Sequence, residues 1–441
     1  MPKHPFLDLD NLPAWSELSP DLIKSEVSNA LERSEEHLQA IRLLSPEESN
    51  FNNSVKALEQ ATIYLDHAWG LVGHLDSVCN SPELRTAHNE MLPEVSAFGA
   101  KIPLDEKLWQ VIRCFSEKPE VQDLSPIDLR LLDETIADFR ESGADLPLNK
   151  KDRLEKISSE LAQATQQFSE RVLDATNSWK LVVNEEARLS GLPQSAKEAA
   201  RATAIEKLGE EEGKKSWIFT LHAPSLVPAL QYLDDDELRK EIWTASDALG
   251  SEKPYDNQSL IATILQLRQE KAELLGKSDF SEVALSRRMA KSGQRADTFI
   301  SELRDQTAPF FERENQELES YKAEKTGRNS DLLQPWEVGY WSEKLKKERY
   351  DFDEEDLRPY FPIHSVLQGM FALVTKVFGL RIVERSILFE GEVHAHGEEI
   401  SQAIEVWHPE VRFYDLFDSE GGQLLGSFYA DWHPRSSKRA G

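Results

Sequence analysis

KKDRLEKISSELAQATQQFSERVLDATNSW, residues 150–179, is the stretch that decides the fold class. Its apolar side chains Leu154, Ile157, Leu161, Ala164, Phe168 and Val172 recur at spacings of 3, 4, 3, 4 and 4. That period turns one narrow apolar seam toward a single side of an α-helix, suited to an antiparallel partner helix. The spacing therefore predicts a mainly α protein built on a long central helix.

The same signals extend outward in both directions. Toward the N-terminus, Ser19-Pro20 reads as a helix start, and Leu22, Ile23, Val27, Ala30, Leu31, Leu38 and Ile41 follow at helical spacing over residues 20–44. A helix is expected over 53–78, another from Ser81-Pro82, and another from Ser125-Pro126 that Gly143 ends. Toward the C-terminus, Leu181-Val182-Val183 and residues 216–221, SWIFTL, read as short strands with a charged helix between them. Pro224-Ser225 opens a short helix, and Asp234, Asp235 and Asp236 place acid at the start of the next, where the helix dipole favours it. Residues 260–275 form an amphipathic helix closed by Gly276, and two more helices are expected over 293–325 and 364–379. Near residue 386 the character changes. Residues 411–417 and 423–431 are β-like and aromatic, joined by a turn at 418–422, so a hairpin is expected. The domain reading is 1–150 as an N-terminal helical domain, 151–215 as a helical segment joining two lobes, and 216–441 as the start of a further domain.

Charge narrows the range of partners. Asp and Glu number 79 against 51 Lys and Arg, a formal net charge of -28. A field of that sign repels nucleic acid and anionic membranes. No apolar run approaches the roughly 18–20 residues that a membrane span needs. Cys79 and Cys114 stand apart in no ligand spacing, as small apolar residues of a reducing compartment do. The first residues carry acids and no basic, apolar leader pattern. These features point to a cytoplasmic protein.

Six blocks then stand out: HLDSVCNSPELRTAHNEMLP (74–93), ERVLDATNSWKLVV (170–183), LQPWEVGYWSEK (333–344), DLRPYFP (356–362), WHPEVRFYDLFD (407–418) and GSFYADWHPRSSKRAG (426–441). In this order they resemble the oligopeptidase A and thimet oligopeptidase family of zinc metallopeptidases across nearly the whole chain. The resemblance implies an almost entirely helical fold of two lobes beside a narrow channel that admits short peptides. It also implies hydrolysis of internal peptide bonds by one zinc ion. An H-E-x-x-H helix supplies two His ligands and a general-base Glu, and the next helix supplies a further Glu. The i, i+4 spacing sets both imidazoles on one helix face, beside the metal-bound water.

The zinc helix of that family follows the FYADW segment. In this sequence the residues after the eleven His are Pro, Leu, Ala, Leu, Asn, Ala, Ser, Ala, Gly, Pro and Pro, so no H-E-x-x-H exists in it. We therefore assign no catalytic residue and no metal ligand. The expectation is a chain truncated before the zinc helix, its catalytic domain incomplete, inactive as a peptidase by itself and binding no cofactor. Short peptides and a complementary C-terminal chain are its expected partners. The alternatives are one half of a split oligopeptidase completed by a separate chain, and a non-catalytic helical peptide-binding or interaction protein. Two departures from the family concern the end of the chain. Where the family usually continues FY with Leu-Asp-Leu-Tyr, this sequence has Ala430, Asp431, Trp432 and His433, and residues 386–403 look inserted or diverged.

Several residues carry a sharp and a bland reading. His394 and His396, with Glu392, Glu398 and Glu399, are a metal site or a polar surface loop. His408 and Glu410 serve chemistry or the packing of a strand entry. Asp431 and Arg435 face a channel or form a structural ion pair. Trp336, Tyr340 and Trp341 line a peptide groove or a core.

Overall fold

Helix starts follow local capping chemistry in the computed structural model, which describes residues 4–328, 332–394 and 403–439. Helix α1 (Pro20–Arg42) begins with proline in its first turn, and Ser19 holds the cap position in extended conformation without a side-chain bond. The expected helix over 53–78 is two, α2 (Val55–Ala61) and α3 (Ile63–Val78), divided at Thr62. Helix α4 (Pro82–Lys101) starts where Ser81 Oγ accepts from Leu84 N at 3.2 Å. Helix α5 (Glu106–Ser116) starts where Asp105 accepts from the amides of Lys107 and Leu108. In α6 (Pro126–Ser142) Ser125 caps the start, and Gly143 ends it at φ 103°, a backbone conformation that glycine adopts without strain. Helix α7 (Leu148–Ser178) realises the opening stretch, with Leu154, Ile157 and Ala164 buried and Leu161, Phe168 and Val172 half-buried.

The next elements are β1 (Leu181–Val183), α8 (Gln194–Leu208), α9 (Glu210–Gly213), β2 (Trp217–Phe219), α10 (Ala223–Tyr232) and α11 (Asp236–Asp247). The two short strands pair antiparallel, Val182 opposite Ile218. Then come α12 (Gln258–Leu274), α13 (Phe280–Leu285), α14 (Gly293–Thr326), α15 (Pro335–Tyr350) and α16 (Ile363–Phe378). The strands β3 (Leu380–Arg385), β4 (Ile387–Phe389), β5 (Glu392–His394), β6 (Ile404–Glu405), β7 (Arg412–Asp418) and β8 (Leu424–Ala430) follow. The hairpin expected from the aromatic runs is β7–β8, and β3 pairs with its other edge to give the order β3-β7-β8. An isolated hairpin is marginal; here the chain supplies its third strand from upstream. A second small sheet has the order β5-β4-β6. The fold is mainly α.

The chain divides into two compact units. The first holds Met1–Gln167, Leu260–Met289 and Val374–Gly441, and its largest core gathers Phe6, Ile23, Val27, Ala30, Val72, Leu84 and Met91 from the N-terminal segment, α1, α3 and α4. The second holds Phe168–Ser259 and Ala290–Leu373. Its core is built from Leu189, Trp217, Phe219, Leu233, Leu238 and Ile242. Gly191, at φ 83°, lets the chain pass the carbonyl of Tyr232 there, where a Cβ would stand 2.2 Å from that oxygen. Among the described residues no helix is long and apolar enough to cross a membrane.

Candidate functional site

Three of the six blocks meet in the first unit. Trp407 comes from 407–418, Tyr429, Asp431 and Arg435 from 426–441, and His74, Val78 and Cys79 from the end of α3. Trp15 joins them, its indole Nε1 donating to Tyr429 Oη at 3.2 Å. The imidazole of His74 packs against the rings of both Trp407 and Trp15, with centroid distances of 4.3 and 5.2 Å, and the two indoles also meet each other at 4.8 Å. Burial there pulls its pKa below the ordinary histidine value, so the ring is neutral and packs as an aromatic. Burial likewise pushes the Cys79 thiol up, away from the thiolate that a nucleophile needs.

Asp431 is the polar centre of this knot. Trp407 Nε1 donates to one carboxylate oxygen at 3.1 Å, and Arg435 donates to both, at 2.7 and 2.8 Å. Lys438 lies 3.3 Å away. Burial opposes ionisation, yet the hydrogen bonds from Arg435 and Trp407, with the charges of Arg435 and Lys438, hold the carboxyl at about 2. The side chains of Asp431 and Arg435 are 10% and 11% exposed. A carboxylate so fully engaged accepts no further proton near neutral pH, so this is a structural ion pair.

The same arginine seals a helix end. Its Nε and Nη2 both donate to the carbonyl of Val78, the last residue of α3. Arg439 N donates to Ser77 O at 2.8 Å, and its guanidinium pairs with the buried Asp76. Terminal helix carbonyls lack partners within the helix and carry partial negative charge; residues 435–439 satisfy both needs.

The remaining candidates separate. His408 Nδ1 stands 3.8 Å from Glu410, beside the ring of Phe389 at the strand entry. His394 ends β5 opposite Ile387, while His396, Glu398 and Glu399 lie outside the described residues. Trp336, Tyr340 and Trp341 dock α15 within the second unit. Trp336 Nε1 donates to Asp236, Tyr340 Oη donates to Asp234 at 2.8 Å, and the Arg239 guanidinium covers the Tyr340 ring at 4.0 Å. Trp341 meets Tyr321 of α14 edge-on at 6.1 Å. Helix α15 has no strong apolar stripe to announce it. Its buried acids Glu337 and Glu343 instead answer cations, Lys322 at 2.7 Å and Lys346 at 2.7 Å.

A zinc centre needs three or more donors converging on one point. Among the described residues no group of three His, Cys, Asp or Glu side chains gathers in that way. The described residues therefore offer no donor set that fits a resident zinc ion.

Comparison with known proteins agrees with the blocks. The profile described as Peptidase family M3 matches residues 229–441, and that of the Neurolysin/Thimet oligopeptidase N-terminal domain matches residues 23–151. Oligopeptidase A of Haemophilus influenzae is 33% identical over 443 residues, covering 99% of this chain and 61% of the relative. Oligopeptidase A of Escherichia coli is also 33% identical, with 62% of the relative covered. Dipeptidyl carboxypeptidase of Escherichia coli is 27% identical over 448 residues. The chain thus spans about three fifths of the length of the curated relatives it matches. Two matching profiles, a mainly α fold and end-to-end similarity to oligopeptidase A together place this chain in the oligopeptidase A and thimet oligopeptidase family, peptidase family M3.

Proposed function

We propose that these 441 residues form the peptide-handling helical part of an M3-type oligopeptidase and hydrolyse no peptide by themselves. Zinc and its ligands then come from polypeptide outside this sequence, as further chain or as a separate partner. The observation that carries this reading is the surface of α16. Its sequence, IHSVLQGMFALVTKVF, is apolar on most sides, yet none of its side chains is buried, and Leu373, Val377 and Phe378 are 61%, 60% and 71% exposed. Helices apolar all round belong in interiors. On α14, Phe299, Ile300, Phe310 and Phe311 are likewise exposed. Apolar area of this kind marks a surface that another segment covers; a polar surface would favour a self-sufficient, non-catalytic lobe. The two free cysteines, Cys79 and Cys114, support a cytoplasmic setting for this reading.

The test is cleavage of a short quenched-fluorescent peptide by the purified chain with zinc supplied. No chelator-sensitive turnover is expected. Adding the part of Escherichia coli oligopeptidase A beyond the aligned region is expected to restore cleavage. Turnover by the 441 residues alone, with stoichiometric zinc, overturns the proposal.

A further inference from the structure

The second unit contains a cavity of about 670 Å³ between the start of α11, the end of α14 and the start of α15. The three acids that line it are all engaged. Asp234 accepts from Ser190, Tyr340 and Lys344, and Asp236 accepts from Arg239 and Trp336. Glu337 accepts from Lys322 Nζ and Gln334 N. Among the charged and indole side chains of the lining, what remains unspent is donor capacity. Arg239 is only 2% exposed, and its two Nη groups donate to Leu233 O and Asp236. Its Nε is buried with no acceptor among the described residues, and so is the indole Nε1 of Trp341. A buried N–H left unpaired is costly, and neither a guanidinium nor an indole N–H can accept instead. The exposed guanidinium of Arg328 also lines the cavity and has no hydrogen-bond or ion-pair partner among the described residues. Counting the Lys344 that holds Asp234, four cations meet three carboxylates here. One positive charge is left over, in a chain whose net charge is -28.

We infer that this cavity binds the carboxylate of a small organic ligand, either a free acid or the C-terminus of a short peptide. A carboxylate brings acceptor oxygens and the single negative charge that the site lacks, and charge-assisted hydrogen bonds of this kind are the strong ones. Its oxygens accept from Arg239 Nε and Trp341 Nε1, and Arg328 adds its charge. Water does not reach either N–H, so the Trp341 ring tilts to admit the ligand. A phosphate dianion exceeds the charge left over here, and an amide carries none. The cavity volume lies in the range of small-molecule sites. The inference goes beyond the proposal above: it requires neither zinc nor cleavage.

Titration of the full 441-residue chain, followed by calorimetry and by tryptophan fluorescence, decides it. The ligands are acetyl-Gly-Leu, its C-terminal amide, 3-phenylpropionate and inorganic phosphate. At least one of the two carboxylates is expected to bind at least tenfold more tightly than the amide and than phosphate. Which of them binds separates a peptide C-terminus from a free acid. Trp341→Phe keeps an aromatic ring and removes an N–H that bonds nothing in this chain, so the variant folds. It is expected to weaken the carboxylate about tenfold, the worth of a hydrogen bond to a charged group, and to abolish the fluorescence change on binding. Arg328→Gln, at an exposed side chain, is expected to weaken it about threefold at low salt. If neither carboxylate binds, if the amide or phosphate binds as tightly, or if Trp341→Phe leaves the carboxylate's affinity unchanged, the site is wrong. The cleavage experiment above is untouched by that outcome, so the two readings fail separately.

Discussion

At the scale of single residues, Asp431 shows how a charge far from any chemistry comes to be held. Its folded-state pKa of about 2 lies below the ordinary carboxylate value, so the ionised form stabilises the native state. That contribution is complete above the unfolded pKa near 4 and is lost as pH falls through the folded value of about 2. It is on the order of 2 kcal/mol. Asp431→Asn is therefore expected to lower the melting temperature at pH 7, and the gap from wild type is expected to shrink between pH 5 and pH 2. A gap independent of pH would show that the carboxylate's charge is not what stabilises. The candidate pair Asp431 and Arg435 was legible in the sequence because they stand four positions apart in a distinctive block. Their partners were not, since Val78, Cys79 and His74 lie hundreds of positions away and only the fold brings them near. The readings of Trp336, Tyr340 and Trp341 turned on the same point: aromatic blocks announce packing, but not against which helix.

At the scale of elements, legibility followed periodicity and punctuation. Helix α7 was expected over 150–179 and spans Leu148–Ser178, because its apolar repeat is long and uninterrupted. The Ser-Pro starts and Gly143 fixed other boundaries through cap chemistry that acts within one turn. Helix α15 escaped because its contacts are made by indole, phenol and buried carboxylates, so no simple apolar period shows. Strand β3 escaped because residues 380–385, LRIVER, gain strand character only by pairing with β7. Helix α16 is legible as a helix and unexplained as a surface. Leu373→Gln with Val377→Gln is expected to change stability by less than about 0.5 kcal/mol, as at exposed sites, and to reduce the fluorescence of a hydrophobic dye. The same pair is expected to impair restoration of cleavage by the added catalytic segment. A stability loss above about 2 kcal/mol would mean that these side chains are already packed in this chain.

At the scale of the whole molecule, the excess of 28 acids sets the background on which local pairs act. Many of the ion pairs are exposed, such as Lys24 with Glu90 and Lys214 with Glu210, and pairs of that kind contribute little. Self-repulsion of the net charge is the larger long-range effect, and salt screens it over about 10 Å at 0.1 M. The melting temperature is therefore expected to rise as sodium chloride goes from 10 to 150 mM. A fall would mean that attractive pairs dominate. Fold class and family were legible at this scale, through one helical period and six ordered blocks.

The clasp of Arg435 on Val78 joins positions 357 apart. A ribosome adding roughly 5–20 residues per second needs roughly 20–70 s to travel that distance. For that interval the nascent α3 has its terminal carbonyls open to water and the indole of Trp15 has neither Trp407 nor Tyr429 to meet. The N-terminal helices must wait, half assembled, for the tail that completes them. Chaperone capture during synthesis has its natural window there, and a ribosome stalled before residue 435 would hold the early helices in their most vulnerable form.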